Sequence, residues 1–200
     1  MLNYTYMLEI LLENIDVVRT VHILGVALGV GTATITDLFF FKFLKDFKIS
    51  SLESGVMNTL SGVIWFALVI LVVSGTLLYL EDVEKFNNSS KFLTKMIIVG
   101  VIIVNGITLN FFVSPRLAKI TFHKKHEHQP GELHHIRKIA FALGAVSVTS
   151  WYSAFILGMF RSVPLSFSVL LSAYITLLVV VIAFSQLAER VYSKKAREVE

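Results

Sequence analysis

The chain contains no cysteine. Disulfides, iron–sulfur clusters and thiolate metal sites are excluded with it. Charge is scarce as well: Asp, Glu, Lys and Arg make up 16% of the 200 residues, against about 25% in soluble domains. No H-E-x-x-H, G-x-S-x-G or P-loop pattern occurs, and no nucleophile–base pair can be argued, so the chain reads as a non-enzyme. Residues 1–16 have neither a basic n-region nor a small-residue cleavage site, which argues against a secretory signal peptide.

What fills the chain is apolar. Hydrophobic residues make up 55% of it and the mean hydropathy is +0.73. A hydrocarbon core about 30 Å thick needs about 20 such residues of helix. Five stretches meet that length, at residues 17–41, 56–80, 93–114, 138–160 and 163–187. The first is broken only by Arg19 and Asp37, and Asp37 is the only acid inside an expected span. The expectation is an all-α, five-helix transmembrane bundle forming one domain over the whole chain.

Charge sets an expected orientation. Thirteen of the 18 Lys and Arg fall in the segment after span one, in the 116–138 loop or in the C-terminal tail. By the positive-inside rule the N-terminus lies outside and the C-terminus inside, and five spans satisfy that parity. The net charge of +4 therefore reflects loops beside lipid phosphate, and nucleic acid is not expected as a partner. Leu8, Leu11, Leu12 and Ile15 share one helical face and Glu9, Glu13 and Asp16 another, the pattern of a short interfacial helix on the outer surface. Ser162 ahead of Pro164 reads as an N-cap of span five after a tight turn.

Small residues mark close helix contacts. Span one carries Gly25, Gly29 and Thr32 along a face with His22; span two Asn58, Ser61, Trp65 and Gly75; span four Gly144, Ser147, Trp151, Ala154 and Gly158. The pattern Ser61-x-x-x-Trp65 recurs as Ser147-x-x-x-Trp151. The small-residue face of span one fits a homo-oligomer and packing within one chain equally.

Three polar groups are candidates for chemistry. His22 lies one to two turns below the outer surface, with Met96 and Met159 at a similar level. Imidazole and thioether ligate Cu(I), and both are axial haem ligands; the plain alternative is a histidine bonded to a neighbouring hydroxyl and methionines that fill space. The inner loop gathers His123, His126, His128, His134 and His135 with Glu127 and Glu132 around a Pro130-Gly131 turn, a set that can hold a metal ion, although Lys124 and Lys125 oppose a cation. The third group is Asp37, Asn58, Asn105, Thr108 and Asn110 with the cluster Ser147, Thr149, Ser150 and Ser153, in which Asp37, Asn58, Asn105 and Asn110 read as an ion pathway; its plain alternative is Asp37 paired with Lys42 or a neighbouring Asn. One haem cannot bridge His22 and the loop histidines, so a haem b would take His22 with Met96, with Met159, or with no second protein ligand.

The opening of span one, Val21-His22-Ile23-Leu24-Gly25-Val26-Ala27-Leu28-Gly29, resembles the His-containing first helix of CopD-like copper-resistance membrane proteins and their HemJ-like relatives. Val73-Ser74-Gly75 is similar to the Ser/Thr-Gly near the end of their second helix, and Lys95-Met96-Ile97 followed by Asn105, Asn110 and Pro115-Arg116-Leu117 to their Lys-led third helix. The resemblance covers roughly residues 20–117. It implies a multi-pass protein of the bacterial inner membrane that binds or moves copper, haem or a porphyrin, with His22 as the functional position. HemJ-like proteins carry an Arg late in the first helix where Thr34-Ile35-Thr36-Asp37 stands here, which argues against porphyrinogen oxidation. Three readings stand at this point: copper or haem handling through His22, a proton or small-cation carrier centred on Asp37, and a membrane subunit or scaffold without cofactor.

Overall fold

The computed structural model describes residues 13–46, 51–113 and 132–197, and among them every regular element is helical. Helix α1 is Ile15–Asp46, α2 Ser51–Glu81, α3 the short Val83–Asn87, and α4 Ser90–Ile107, which runs into a π-helical segment, Thr108–Val113. Helices α5 (Glu132–Met159) and α6 (Phe167–Arg197) complete the bundle. Five of these helical stretches are long and apolar enough to cross a membrane: Ile15–Phe40, Leu52–Glu81, Ser90–Val113, Lys138–Met159 and Phe167–Val191. In hydrocarbon each backbone N–H and C=O must find its partner inside the segment, and a helix achieves that.

The interfacial helix expected over residues 1–16 lies outside the described residues up to Leu12; from Ile15 the chain already belongs to α1. Span five differs from expectation. Residues 160–166 form an irregular link, and α6 begins at Phe167, where the Ser166 carbonyl accepts from Leu170 N–H at 3.1 Å. Pro164 disfavours helix in the residue before it, so Ser166, not Ser162, precedes the first turn. At its other end α6 runs past Ala188, which brings Glu189 into the apolar stretch.

Helix α5 is the centre of the bundle, packed against α1, α4 and α6, while α2 packs on α1. Its sequence explains this. Gly144, Ala145, Ser147, Thr149, Ser150 and Trp151 are buried, and small residues on several sides let three neighbours approach. On α1 the buried stripe is Gly25, Gly29, Thr32, Ala33, Asp37 and Phe40, spaced by three and four. On α4 it is Thr94, Ile98, Ile102 and Asn105.

The glycines of α1 are filled from within the chain. A Cβ at Gly25 would stand 2.8 Å from Ile70 Cγ2 on α2, and one at Gly29 would stand 2.6 Å from Trp151 Cζ3 on α5. This face is therefore spent on intrachain packing. Trp151 joins Ala33, Leu68, Ile98, Ile102 and Tyr174 in the central apolar cluster. A second cluster of Phe40, Val113, Ala140 and Phe141 lies toward the Lys138 end of α5.

At the opposite end of the bundle the helix termini are tied together. Arg19 bridges Asp16 at 3.0 Å and Glu81 at 2.5 Å. The Asp82 side chain caps α3 by accepting from Lys85 N–H at 3.0 Å. Tyr79 stacks on Phe92 with ring centroids 5.6 Å apart, and Phe86 leans on Phe92 at 5.0 Å. Lys91 donates to the Phe160 carbonyl at 2.5 Å, which satisfies an acceptor beyond the last turn of α5.

Candidate functional site

His22 sits two turns into α1 and turns toward α2. Its Nδ1 lies 2.9 Å from Ser74 Oγ. The Ser74 hydroxyl also lies 2.5 Å from the Ile70 carbonyl; with its single proton donated there, it accepts from His22 Nδ1–H. In that tautomer the neutral imidazole keeps a lone pair on Nε2. Gly75 makes room for the ring: a Cβ there would stand 3.5 Å from His22 Cε1. The Ser74-Gly75 pair thus supplies both the hydrogen-bond acceptor and the space.

This is the plain alternative of the sequence reading, a histidine bonded to a neighbouring hydroxyl; a ligand histidine uses the same kind of bond to hold its second nitrogen. Lys95, half-buried on α4, is close enough for its ammonium to act on the ring electrostatically. No carboxylate of the described residues stands within ion-pair distance of Lys95. A half-buried Lys without an anion, inside a helix of membrane-spanning character, is either matched by an anionic partner or held neutral.

The two methionines expected with His22 are not gathered there. Met96 is 43% exposed and Met159 70% exposed. Met96 lies two residues from both Thr94 and Ile98, which are fully buried, and a two-residue step turns it to the far side of α4. Met159 ends α5 on the outside of the bundle. Both thioethers face outward while His22 faces in, so the soft-ligand set that suits Cu(I) is not assembled. What remains there is an imidazole of the kind that can ligate iron and an ammonium of the kind that pairs with a carboxylate.

Of the loop histidines, His123, His126 and His128 lie outside the described residues. His134 and His135 belong to the first turn of α5, and their side chains lie outside them too. Among the described residues no three His, Asp or Glu are grouped to hold a metal ion.

The third group is partly brought together. Asp37 is 7% exposed and accepts from Ser147 Oγ at 3.0 Å across the α1–α5 contact. Its expected partner Lys42 stands instead 4.0 Å from Glu53 of α2. Asn58 is exposed on the outside of α2 and cannot share a path with Asp37. Asn110 is half-buried in the π-helical segment. Asn105 is 6% exposed, and its Oδ1 has no hydrogen-bond partner among the described residues. One residue the sequence did not single out belongs here. Glu189 on α6 has no exposed surface; its place beside Arg190 made it read as part of the solvated tail. The signal was its spacing of four from Ser185, which is also buried.

Three further bonds cross-link helices. Ser150 and Tyr174 hydroxyls lie 2.8 Å apart between α5 and α6. Thr34 and Tyr152 hydroxyls lie 3.1 Å apart between α1 and α5. Gln186 Nε2 donates to the Lys138 carbonyl at 3.0 Å. The chain matches no protein-family model, no curated protein and no solved structure.

Proposed function

We propose that this chain is a multi-pass membrane protein that binds a haem-type cofactor through His22, with Lys95 as the partner of its carboxylate. The observation that carries this reading is the relay from His22 Nδ1–H to Ser74 Oγ and from Ser74 to the Ile70 carbonyl. It holds the ring in one tautomer and frees Nε2. Met96 and Met159 face outward, which favours one protein ligand over a His/Met pair and favours haem over copper. When bound, such a group would supply one-electron exchange or be handed on as cargo. The chain itself contributes an oriented base, a positive charge and exclusion of water. The resemblance of span one to CopD-like and HemJ-like proteins points to the same residue. In this reading the protein sits in a bacterial inner membrane with its N-terminus outside and its basic 116–138 loop and tail inside.

The test is the optical spectrum of the detergent-purified full chain, oxidised and dithionite-reduced, before and after addition of haem. A Soret band with sharp reduced α and β bands is expected. His22→Ala should abolish them and Ser74→Ala should weaken haem affinity by about 10–100-fold. Lys95→Gln should lower affinity with the band positions kept. A protein that shows no Soret band and takes up no added haem would refute the reading.

A further inference from the structure

We propose that Asp37 is a second, independent site: a carboxyl group that binds a proton within the membrane-spanning part of the bundle, in a polar layer shared with Ser147 and Asn105. The layer lies toward the Lys138 end of α5, away from His22.

The first observation is the absence of a counter-ion. On α1, the nearest cation is Lys42, and it stands with Glu53 of α2. Helix α2 has no other ionisable side chain between Glu53 and Tyr79. Between Lys138 and Met159, α5 has only Tyr152, whose hydroxyl lies by Thr34. No Lys or Arg of the described residues stands within ion-pair distance of Asp37. A carboxylate buried to this degree with one hydroxyl donor is far from compensated. It is made neutral by a proton or matched by a bound cation. A desolvated metal cation takes six or so oxygen ligands. Asp37 is offered one hydroxyl, from Ser147, so the proton is the ligand this site fits.

The second observation is Asn105. Val113 shares a cluster with Ala140 and Phe141. Asn105 lies eight residues before Val113 and Ser147 seven after Ala140. Because α4 and α5 run in opposite directions, both stand about 10–12 Å above that cluster. The next turn agrees: Ile102 and Trp151 share the central cluster. Asn105 Oδ1 is thus a buried acceptor without a donor, at the depth of Asp37. The π-helical segment begins three residues later, with Thr108 N–H reaching both the Val104 and the Asn105 carbonyls. Such segments cluster at functional positions. Asn105 thus adds to the layer a buried hydrogen-bond acceptor with no partner among the described residues; its amide oxygen can accept a hydrogen bond and does not itself take up the proton.

The experiment is infrared difference spectroscopy of the full chain in lipid nanodiscs at neutral pH, with and without Asp37→Asn. A carboxylic-acid C=O band is expected in the unmodified chain and should be lost in Asp37→Asn. Ser147→Ala keeps the acid and removes its donor, so the band should shift instead of vanishing. A band lost in Glu189→Gln and retained in Asp37→Asn would overturn the assignment. So would a spectrum with carboxylate bands only, or a band that disappears when sodium chloride replaces choline chloride, the mark of a metal-cation site.

Discussion

Gly29 and Gly31 stand two residues apart on the same helix and should respond oppositely to one methyl group. A Cβ at Gly29 would lie 2.6 and 2.7 Å from two ring carbons of Trp151, whereas nothing lies within 4 Å of one at Gly31. Helix propensity favours both Gly→Ala changes, by about 0.8–1 kcal/mol each. At Gly31 nothing opposes the gain. At Gly29 the methyl must displace a rigid, buried indole, and overpacking of this kind costs about 1–3 kcal/mol. The propensity terms cancel in the difference between the two variants, which isolates the clash at about 1–3 kcal/mol. For a chain of this size each kcal/mol moves the melting temperature by about 2–4 °C. The assay is thermal unfolding in one detergent, following tryptophan fluorescence. Gly31→Ala should melt at or above the unmodified chain, and Gly29→Ala several degrees below Gly31→Ala. Trp151→Phe in the Gly29→Ala background should recover part of the loss, a coupling that a double-mutant cycle reads directly. Equal melting temperatures for Gly29→Ala and Gly31→Ala would refute the packing of α5 against α1 through this pair.

Met96→Leu and Met159→Leu should leave the position and intensity of any haem bands unchanged, because both thioethers face outward; a shifted reduced α band in either variant would place that sulfur on the iron. Tyr174→Phe should cost about 1 kcal/mol by orphaning the buried Ser150 hydroxyl. Adding Ser150→Ala should return part of that loss in the same unfolding assay, and strict additivity would argue against the bond.

The helices were legible because their cause is local. A run of about twenty residues without charge leaves the backbone no partner but itself, and the charge-free runs were visible one by one. Asp37 was legible for the same reason: an acid inside such a run is conspicuous. Its partner was legible only as one of a group: Ser147 stood with Thr149, Ser150 and Ser153 among the polar residues at that depth, but it lies 110 residues away and nothing in the sequence separates it from its neighbours. The Lys42 pairing failed because Glu53, just across the α1–α2 connection, competes for it. The methionines misled because depth can be counted from a span end, whereas the side of the helix that faces inward depends on its neighbours. Met96 carries no polarity to reveal it. Asn58 misled in the same way, since α2 is apolar nearly all round. Ser74 came into view only through a resemblance, yet it is the residue hydrogen-bonded to His22.

The two polar sites are separate in the fold, and that separation constrains what the protein can do. His22 and Asp37 are fifteen residues apart on one helix, about 22 Å along its axis. Between them lies the central cluster of Ala33, Leu68, Ile98, Ile102, Trp151 and Tyr174. The buried polar side chains of that layer among the described residues are few: Thr32 on α1, and Thr149 and the Ser150–Tyr174 pair on α5 and α6. A cofactor proposed at His22 would not take its ligand from Asp37. Each site can be lost by mutation while the other stays intact. Hydroxyls that a path between them could use in this layer are those of the Ser150–Tyr174 and Thr34–Tyr152 pairs and of Thr32 and Thr149; the rest of the layer is mainly hydrocarbon and indole.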